Sequence, residues 1–214
     1  ADGIIVLNRV KPHTSFRGRY ESGLMKMLAV GLGQAPQARA IHALGVRGLR
    51  EVMPQVARQV LRHAPVLLGV AVVENARDEL LCVQAIPAAR IPEAEPALLE
   101  LARRHRPGLP VDALDLLIVD RIGKDISGLG MDPHVIGRLG IRGEPEPASP
   151  RIGLIYVRGL TPATHGNACG MGLADLISRR AWEQIDRRAT YANVLTTGCL
   201  ERGKTPLIAE HDGD

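Results

Sequence analysis

Val66-Leu-Leu-Gly-Val-Ala-Val-Val73 is an almost unbroken apolar run between Pro65 and Glu74. Such a run is expected for a strand covered on both faces. A turn follows at Asn75-Ala76-Arg77-Asp78, and Glu79–Ala85 reads as the next strand. Upstream, Met53–His63 reads as an amphipathic helix, with Pro54 tolerated in its first turn and Val56, Ala57, Val60 and Leu61 along one face. Further strands are expected at Gly3–Asn8, at Asp115–Asp120 and at Arg151–Val157. Helices are expected near 22–32, 36–44, Glu95–His105, 132–139 and 170–187, and the tail from 203 is expected to be extended. Strands alternating with helices predict an α/β fold: a layered, mostly parallel sheet with flanking helices.

The Pro107–Pro110 stretch suggests a boundary, which divides the fold into two subdomains. Residues 109–164 would form a smaller α/β domain, with GEPEPASP at 143–150 as an exposed loop. The chain from 165 to 214 is expected to return to the domain built by residues 1–108. Sites in such sheets lie at the carboxyl ends of strands. The loops at 9–20, 121–131 and 158–169 all follow strands and are therefore candidates to converge.

Composition narrows the function classes. Hydrophobic residues make up 45% of the chain and aromatic ones only 2%, so the core is aliphatic. The net charge of +4 comes from arginines spread along the sequence. Without a dense basic tract or aromatics for base stacking, nucleic-acid binding has little support. The basic excess suits small anionic substrates. Cys82, Cys169 and Cys199 are odd in number and far apart, the pattern of a reducing compartment, and the cytoplasm is expected. No apolar run approaches a membrane span. The chain opens with Ala-Asp-Gly-Ile-Ile-Val, already strand-like. The expectation is a fold truncated at its N-terminus, with an upstream segment of the same protein missing.

The chemistry concentrates between Lys11 and His42, KPHTSFRGRYESGLMKMLAVGLGQAPQARAIH. Of 27 basic residues only Lys11, Lys26, Lys124 and Lys204 are lysines. Arginine supplies charge but no nucleophilic amine, so a retained lysine invites the question of what an amine does there. Lys26 stands among Leu24, Met25, Met27, Leu28 and Val30, where burial would lower its pKa and favour covalent chemistry. The bland alternative is a lysine snorkelling at a helix edge. His13 follows Pro12 in a loop after a strand, a place suited to general acid–base work or to an ordinary surface histidine. His42, between Ile41 and Ala43, is a metal-ligand candidate or a satisfied core imidazole.

Pro12-His13, Gly18, Ser22-Gly23, Lys26 and His42, with sixteen residues from Lys26 to His42, resemble the pattern of the nickel-dependent lactate racemases and their relatives. The loop around Arg17–Tyr20 is longer than in that family. The resemblance implies that residues 1–108 and 165–214 belong to a cofactor-binding domain. It also implies a nickel-pincer nucleotide held covalently by Lys26, with His42 on the nickel and His13 as catalytic acid/base. The implied activity is racemisation or epimerisation of a 2-hydroxy acid by hydride transfer. A second base, in the missing upstream segment, would be required, so the 214 residues alone are expected to be inactive. In the family's substrate-binding helix, Gln and Lys stand where this chain has Gly137 and Gly140. Arg138 and Lys124 are then the nearest candidates to hold a substrate carboxylate, and the substrate is expected to be a hydroxy acid or sugar acid other than lactate.

Two glycine-rich loops, Gly123–Gly130 and Thr164–Gly170, have the look of ligand-lining segments or of plain structural turns. Two further functions compete with the racemase. One is a non-catalytic α/β binding module that lost the cofactor. The other is a sugar-acid dehydratase or oxidoreductase using the same cleft.

Overall fold

The computed structural model describes residues 2–141, 144–197 and 206–210. The chain divides into two compact units, Ala1–Pro107 and Gly108–Asp214. The fold class is α/β, with one mixed three-stranded sheet and one parallel four-stranded sheet.

In the first unit, β1 (Ile4–Arg9) runs parallel to β2 (Val66–Glu74), and β2 pairs antiparallel with β3 (Leu80–Pro87). Gly69, Ala71 and Val73 of β2 are buried, and the intervening residues are half-buried. The register puts Ile5, Leu7 and Val83 on the opposite face, each more than half exposed. The sheet is thus covered on one face rather than on both. Helices from both sides of β2 in sequence pack on that one face.

The first of those helices is α1 (Leu24–Lys26), which continues through a wider π-type turn at Met27–Gly31. After it come α2 (Gln34–His42), α3 (Gly45–Arg47) and α4 (Met53–His63). Leu24, Met25 and Leu28 are sealed in the core with Phe16, Ile41, Met53, Ile91 and Leu99. Each such side chain contributes about 1.5–3 kcal/mol by leaving water. Gly69 explains itself here. A Cβ on it would stand 2.6 Å from Leu24 Cδ1, so only glycine lets α1 lie this close to β2. The last helix of the unit, α5 (Ile91–Arg104), begins earlier than expected, with Pro92 in its first turn and Pro96 inside it.

In the second unit, β4 (Ala113–Val119), β5 (Arg151–Val157), β6 (Leu176–Ser178) and β7 (Leu207–Ala209) lie in that order, all parallel. The expected return of the chain from 165 onward to the first domain does not occur among the described residues. β6 and β7 extend the sheet of β4 and β5 instead. The expected helix at 170–187 is broken up. A short 3₁₀ turn at Met171–Leu173 leads into β6, then α6 (Arg179–Glu183), then α7 (Arg187–Thr197). Ser178 stops β6 and starts α6, its Oγ accepting from Ala181 N at 2.9 Å, a local N-cap. Residues 132–139 form turns rather than a helix, because Gly137 sits in the left-handed region at φ 64°. Of the expected 143–150 loop, residue 143 lies outside the described residues, as do 203–205 and 211–214 of the expected extended tail. No helix among the described residues is long and apolar enough to cross a membrane.

Candidate functional site

The loop between β1 and α1 is closed at its base by two backbone hydrogen bonds between Lys11 and Ser22, at 2.9 and 3.2 Å. Inside it lies Glu21, a completely buried carboxylate. Its oxygens accept from the backbone N–H of His13 (2.7 Å), the N–H of Gly18 (3.0 Å) and the guanidinium of Arg103 on α5 (2.6 Å). A buried charge persists only when it is paired and hydrogen-bonded, and Glu21 meets both conditions. The same contacts fix where His13 sits.

His13 is buried against Phe16, with ring centroids 4.7 Å apart. Its Nδ1 accepts from the Ser15 N–H at 3.0 Å, and its Nε2 lies 2.8 Å from Lys26 Nζ. These two contacts determine the protonation pattern. A nitrogen that accepts an N–H carries no proton of its own, so the neutral ring bears its proton on Nε2. An Nε2–H cannot bond to an ammonium, which has no lone pair. In this contact Lys26 presents the lone pair of a free amine, the form that prevails above its pKa. Its environment brings that form within reach near pH 8. Burial, helped by the Lys11 ammonium, lowers the Lys26 pKa from 10.5 to about 8.

The helix that carries Lys26 is held from below by a second buried acid. Glu95 on α5 accepts the Met25 N–H at 2.9 Å, capping the first turn of α1 from seventy residues away. Gly23 makes room for it, since a Cβ there would lie 2.6–2.9 Å from the Glu95 carboxyl atoms. Asn8, near the end of β1, holds the Gly23 carbonyl at 2.9 Å. Burial raises the Glu95 pKa from 4.5 to about 7, against the opposing effect of the Met25 and Leu24 N–H groups.

His42 ends α2 half-buried. Burial, and next the charge of Lys26, push its pKa below the usual 6.5, which keeps the imidazole neutral and able to act as a ligand. Lys26 is thus bonded to His13 and within electrostatic range of His42. Among the described residues, no group of three or more His, Cys, Asp or Glu side chains could hold a metal ion. A metal beside His42 would need donors from an organic cofactor, which is the arrangement the resemblance implies.

The second unit uses its cations differently. Arg138 donates to Leu173 O (2.9 Å), Asp175 Oδ2 (2.6 Å) and Ile152 O (3.2 Å), which ties β5 to the turn before β6. Lys124 Nζ donates to Gly128 O at 2.5 Å, closing its own loop. The two residues expected to hold a substrate carboxylate are thus engaged within their unit. Gly137 and Gly140 both have positive φ (64° and 65°), and a Cβ at Gly137 would strike the Pro150 carbonyl. Side chains such as the family's Gln and Lys would be strained at both positions by the backbone itself.

The 121–131 and 158–169 loops do converge at the ends of β4 and β5. Thr161 Oγ1 donates to Asp125 Oδ1 at 2.5 Å, and Lys124 N donates to Thr164 Oγ1 at 3.3 Å. Thr164 Oγ1 in turn donates to Asn167 O at 2.9 Å, and Ala168 N donates to Thr190 Oγ1 at 3.0 Å. Their polar groups bond largely to one another. A cavity of about 530 Å³ in this unit is lined by Trp182, Ile185, Arg187, Thr190 and Tyr191, none of them a residue singled out in the sequence.

No family model, curated protein or solved structure matches the chain. The arrangement of His13, Lys26 and His42 therefore carries the functional argument by itself.

Sequence reasoning missed Glu21, Glu95 and Arg103. For Glu95 a signal existed. Ile91, Glu95, Leu98, Leu99 and Ala102 share one helical stripe, and a carboxylate on an apolar stripe is a candidate for a buried one.

Proposed function

We propose that the first unit carries the covalent cofactor site of a 2-hydroxy-acid racemase or epimerase. The observation that carries this reading is the 2.8 Å contact between Lys26 Nζ and His13 Nε2, made by an amine whose pKa is lowered to about 8. A free amine is the form that becomes acylated. Lys26 would anchor a nickel-pincer nucleotide, and the neutral His42 would bind its metal. When bound, that group supplies a site that takes hydride from a hydroxy acid and gives it back.

The chain's own part concerns protons. Once its nitrogen is acylated, Lys26 no longer offers a lone pair, and the Nε2–H of His13 is released toward substrate. With Nδ1 occupied by the Ser15 N–H, His13 donates from Nε2. That suits it to hydrogen-bond the oxygen of a planar keto acid and return a proton to it. Removing a hydroxyl proton needs a nitrogen that is free to accept, and the Ser15 N–H opposes the tautomer that would provide one at Nε2. His13 thus serves the acid half, and a separate base must serve the other. Glu21 fixes the backbone of His13 for this task.

The test is the intact mass and nickel content of the protein matured in its native host, followed by assay of hydroxy acids and sugar acids for inversion. One cofactor mass on Lys26, about one nickel per chain and an inverted product support the reading. An unmodified Lys26 without nickel overturns it in favour of a binding module. A dehydrated product overturns it in favour of a sugar-acid dehydratase.

A further inference from the structure

We infer that Lys26, when it carries no cofactor, is a carbonyl-capturing amine that forms an imine with small 2-oxo acids, with His13 Nε2–H stabilising the oxygen as the bond forms. This inference does not use the nickel reading and stands or falls without it.

Three observations carry it. The first is the protonation pattern. The Ser15 N–H at 3.0 Å from Nδ1 places the ring proton on Nε2, and Nε2 at 2.8 Å from Nζ requires a lone pair there. Amines react with carbonyls only through that lone pair. The second is the placement of the donor. The Nε2–H that occupies the lone pair at rest lies one hydrogen bond from the attacking nitrogen. When Nζ closes on a carbonyl carbon, the oxygen of that carbonyl lies one bond from the carbon, within reach of the same N–H. A neutral imidazole donor aimed at developing negative charge is a recognised form of electrophilic assistance. The third is charge. The backbone of Lys11 pairs with Ser22, four residues before Lys26, which brings the Lys11 ammonium to the base of the same loop. A cation beside a nucleophilic amine selects a carbonyl compound that carries a carboxylate. A half-buried amine favours a small one. A 2-oxo acid has both groups on adjacent carbons.

The step balances without a further reactant. The Nζ lone pair forms the N–C bond, and the carbonyl π pair moves to oxygen. Two protons leave nitrogen through solvent, the oxygen departs as water, and a C=N bond remains. No oxidation or reduction occurs until a hydride reagent is added.

The experiment uses the purified protein with Lys26 unmodified, pyruvate as the probe and sodium cyanoborohydride to trap the imine. Peptide mapping is expected to place one reduced adduct on Lys26, formed about tenfold or more faster than on Lys11, Lys124 or Lys204. Even labelling of the four lysines, or none on Lys26, overturns the inference. Lys11→Gln is expected to slow labelling by pyruvate several-fold and to leave labelling by propanal unchanged. Equal slowing of both overturns the choice of a 2-oxo acid. His13→Ala is expected to lower Lys26 labelling about tenfold, and undiminished labelling overturns the role given to His13. Because that variant removes a buried ring and could fail to fold, ¹⁵N NMR of the histidines in the unmutated protein gives a second reading. A proton on Nε2 of His13 supports the assignment, and a proton on Nδ1 or a doubly protonated ring overturns it.

Discussion

The two units treat their buried cations in opposite ways. In the second, Arg138 meets a carboxylate and backbone carbonyls, and its charge ties β5 to the turn before β6. In the first, Lys26 has its amine desolvated, with a second lysine nearby and an imidazole that offers it a proton rather than accepting one. The acids differ inside the first unit as well. Glu21 is paired with Arg103, whereas Glu95 meets only N–H groups and holds its proton to about pH 7. A structural charge lowers the free energy of the fold around it. A charge kept in an unfavourable setting raises that free energy, and the setting makes chemical sense when the group has to react.

Four measurements put this contrast to the test. The largest effect is expected at Arg138. Arg138→Met leaves Asp175, which is only 18% exposed, without its cation, and should cost about 4 kcal/mol in guanidinium chloride unfolding of the second unit. A loss near zero would show that this pair does no structural work.

Next comes the pH response of the first unit. The unfolded chain releases the Glu95 proton near 4.5, and the folded chain keeps it to about 7. Between those values the folded state binds more protons, so stability should fall as pH rises, by about 3 kcal/mol in all. Glu95→Gln should flatten that slope. A wild-type curve already flat from pH 4.5 to 7 would contradict the burial assigned to Glu95.

Lys26→Met should act in the direction opposite to Arg138→Met. The folded state releases the lysine proton near 8 and the unfolded state near 10.5. The cost of the buried ammonium is therefore present below pH 8 and is relieved between 8 and 10.5. Methionine should stabilise the protein by about 2 kcal/mol at pH 7 and gain nothing at pH 10.5. Destabilisation at pH 7 would make Lys26 a structural cation like Arg138.

The smallest effect is expected at Gly23→Ala. The new methyl group would press on the Glu95 carboxyl and should cost about 1 kcal/mol. It should also slow carbonyl capture at Lys26, three residues along the chain. A change in stability with unchanged capture would separate the capping of α1 from the reactivity of its lysine.

Regular elements were legible where periodicity decides them. Met53–His63 and Arg151–Val157 lie where the sequence puts them, because a strong apolar stripe and a bounded apolar run leave little choice. The 170–187 stretch was not legible. Leu176–Ser178 becomes a strand only because Tyr156 and Val157 of β5 lie beside it, a pairing that no local pattern encodes. The one-sided cover of β2 was hidden for a similar reason. An apolar run shows that a strand can be buried on both faces, and the number of helices that pack on it decides whether it is. At the site, Lys26 could be singled out because lysine is rare in this chain. Its contact with His13 was not legible, since no spacing encodes a meeting of a loop residue with a helix residue thirteen positions on. Glu21 was illegible, since its burial depends on Arg103, eighty-two residues downstream.

Gly23 and Glu95 also bear on how this protein can change over generations. The carboxyl group of one fills the volume that any side chain on the other would need. The two positions are seventy-two apart in the sequence, yet the size of one limits the size of the other. A mutation that enlarges position 23 is accommodated better once position 95 has shortened, for instance to Asp. A mutation that shortens position 95 first leaves an empty space, which a methyl at 23 could then fill. Drift through this pair therefore has a preferred order, with the helix residue changing before the loop residue. A double-mutant cycle of Gly23→Ala and Glu95→Asp should show the two changes partly cancelling.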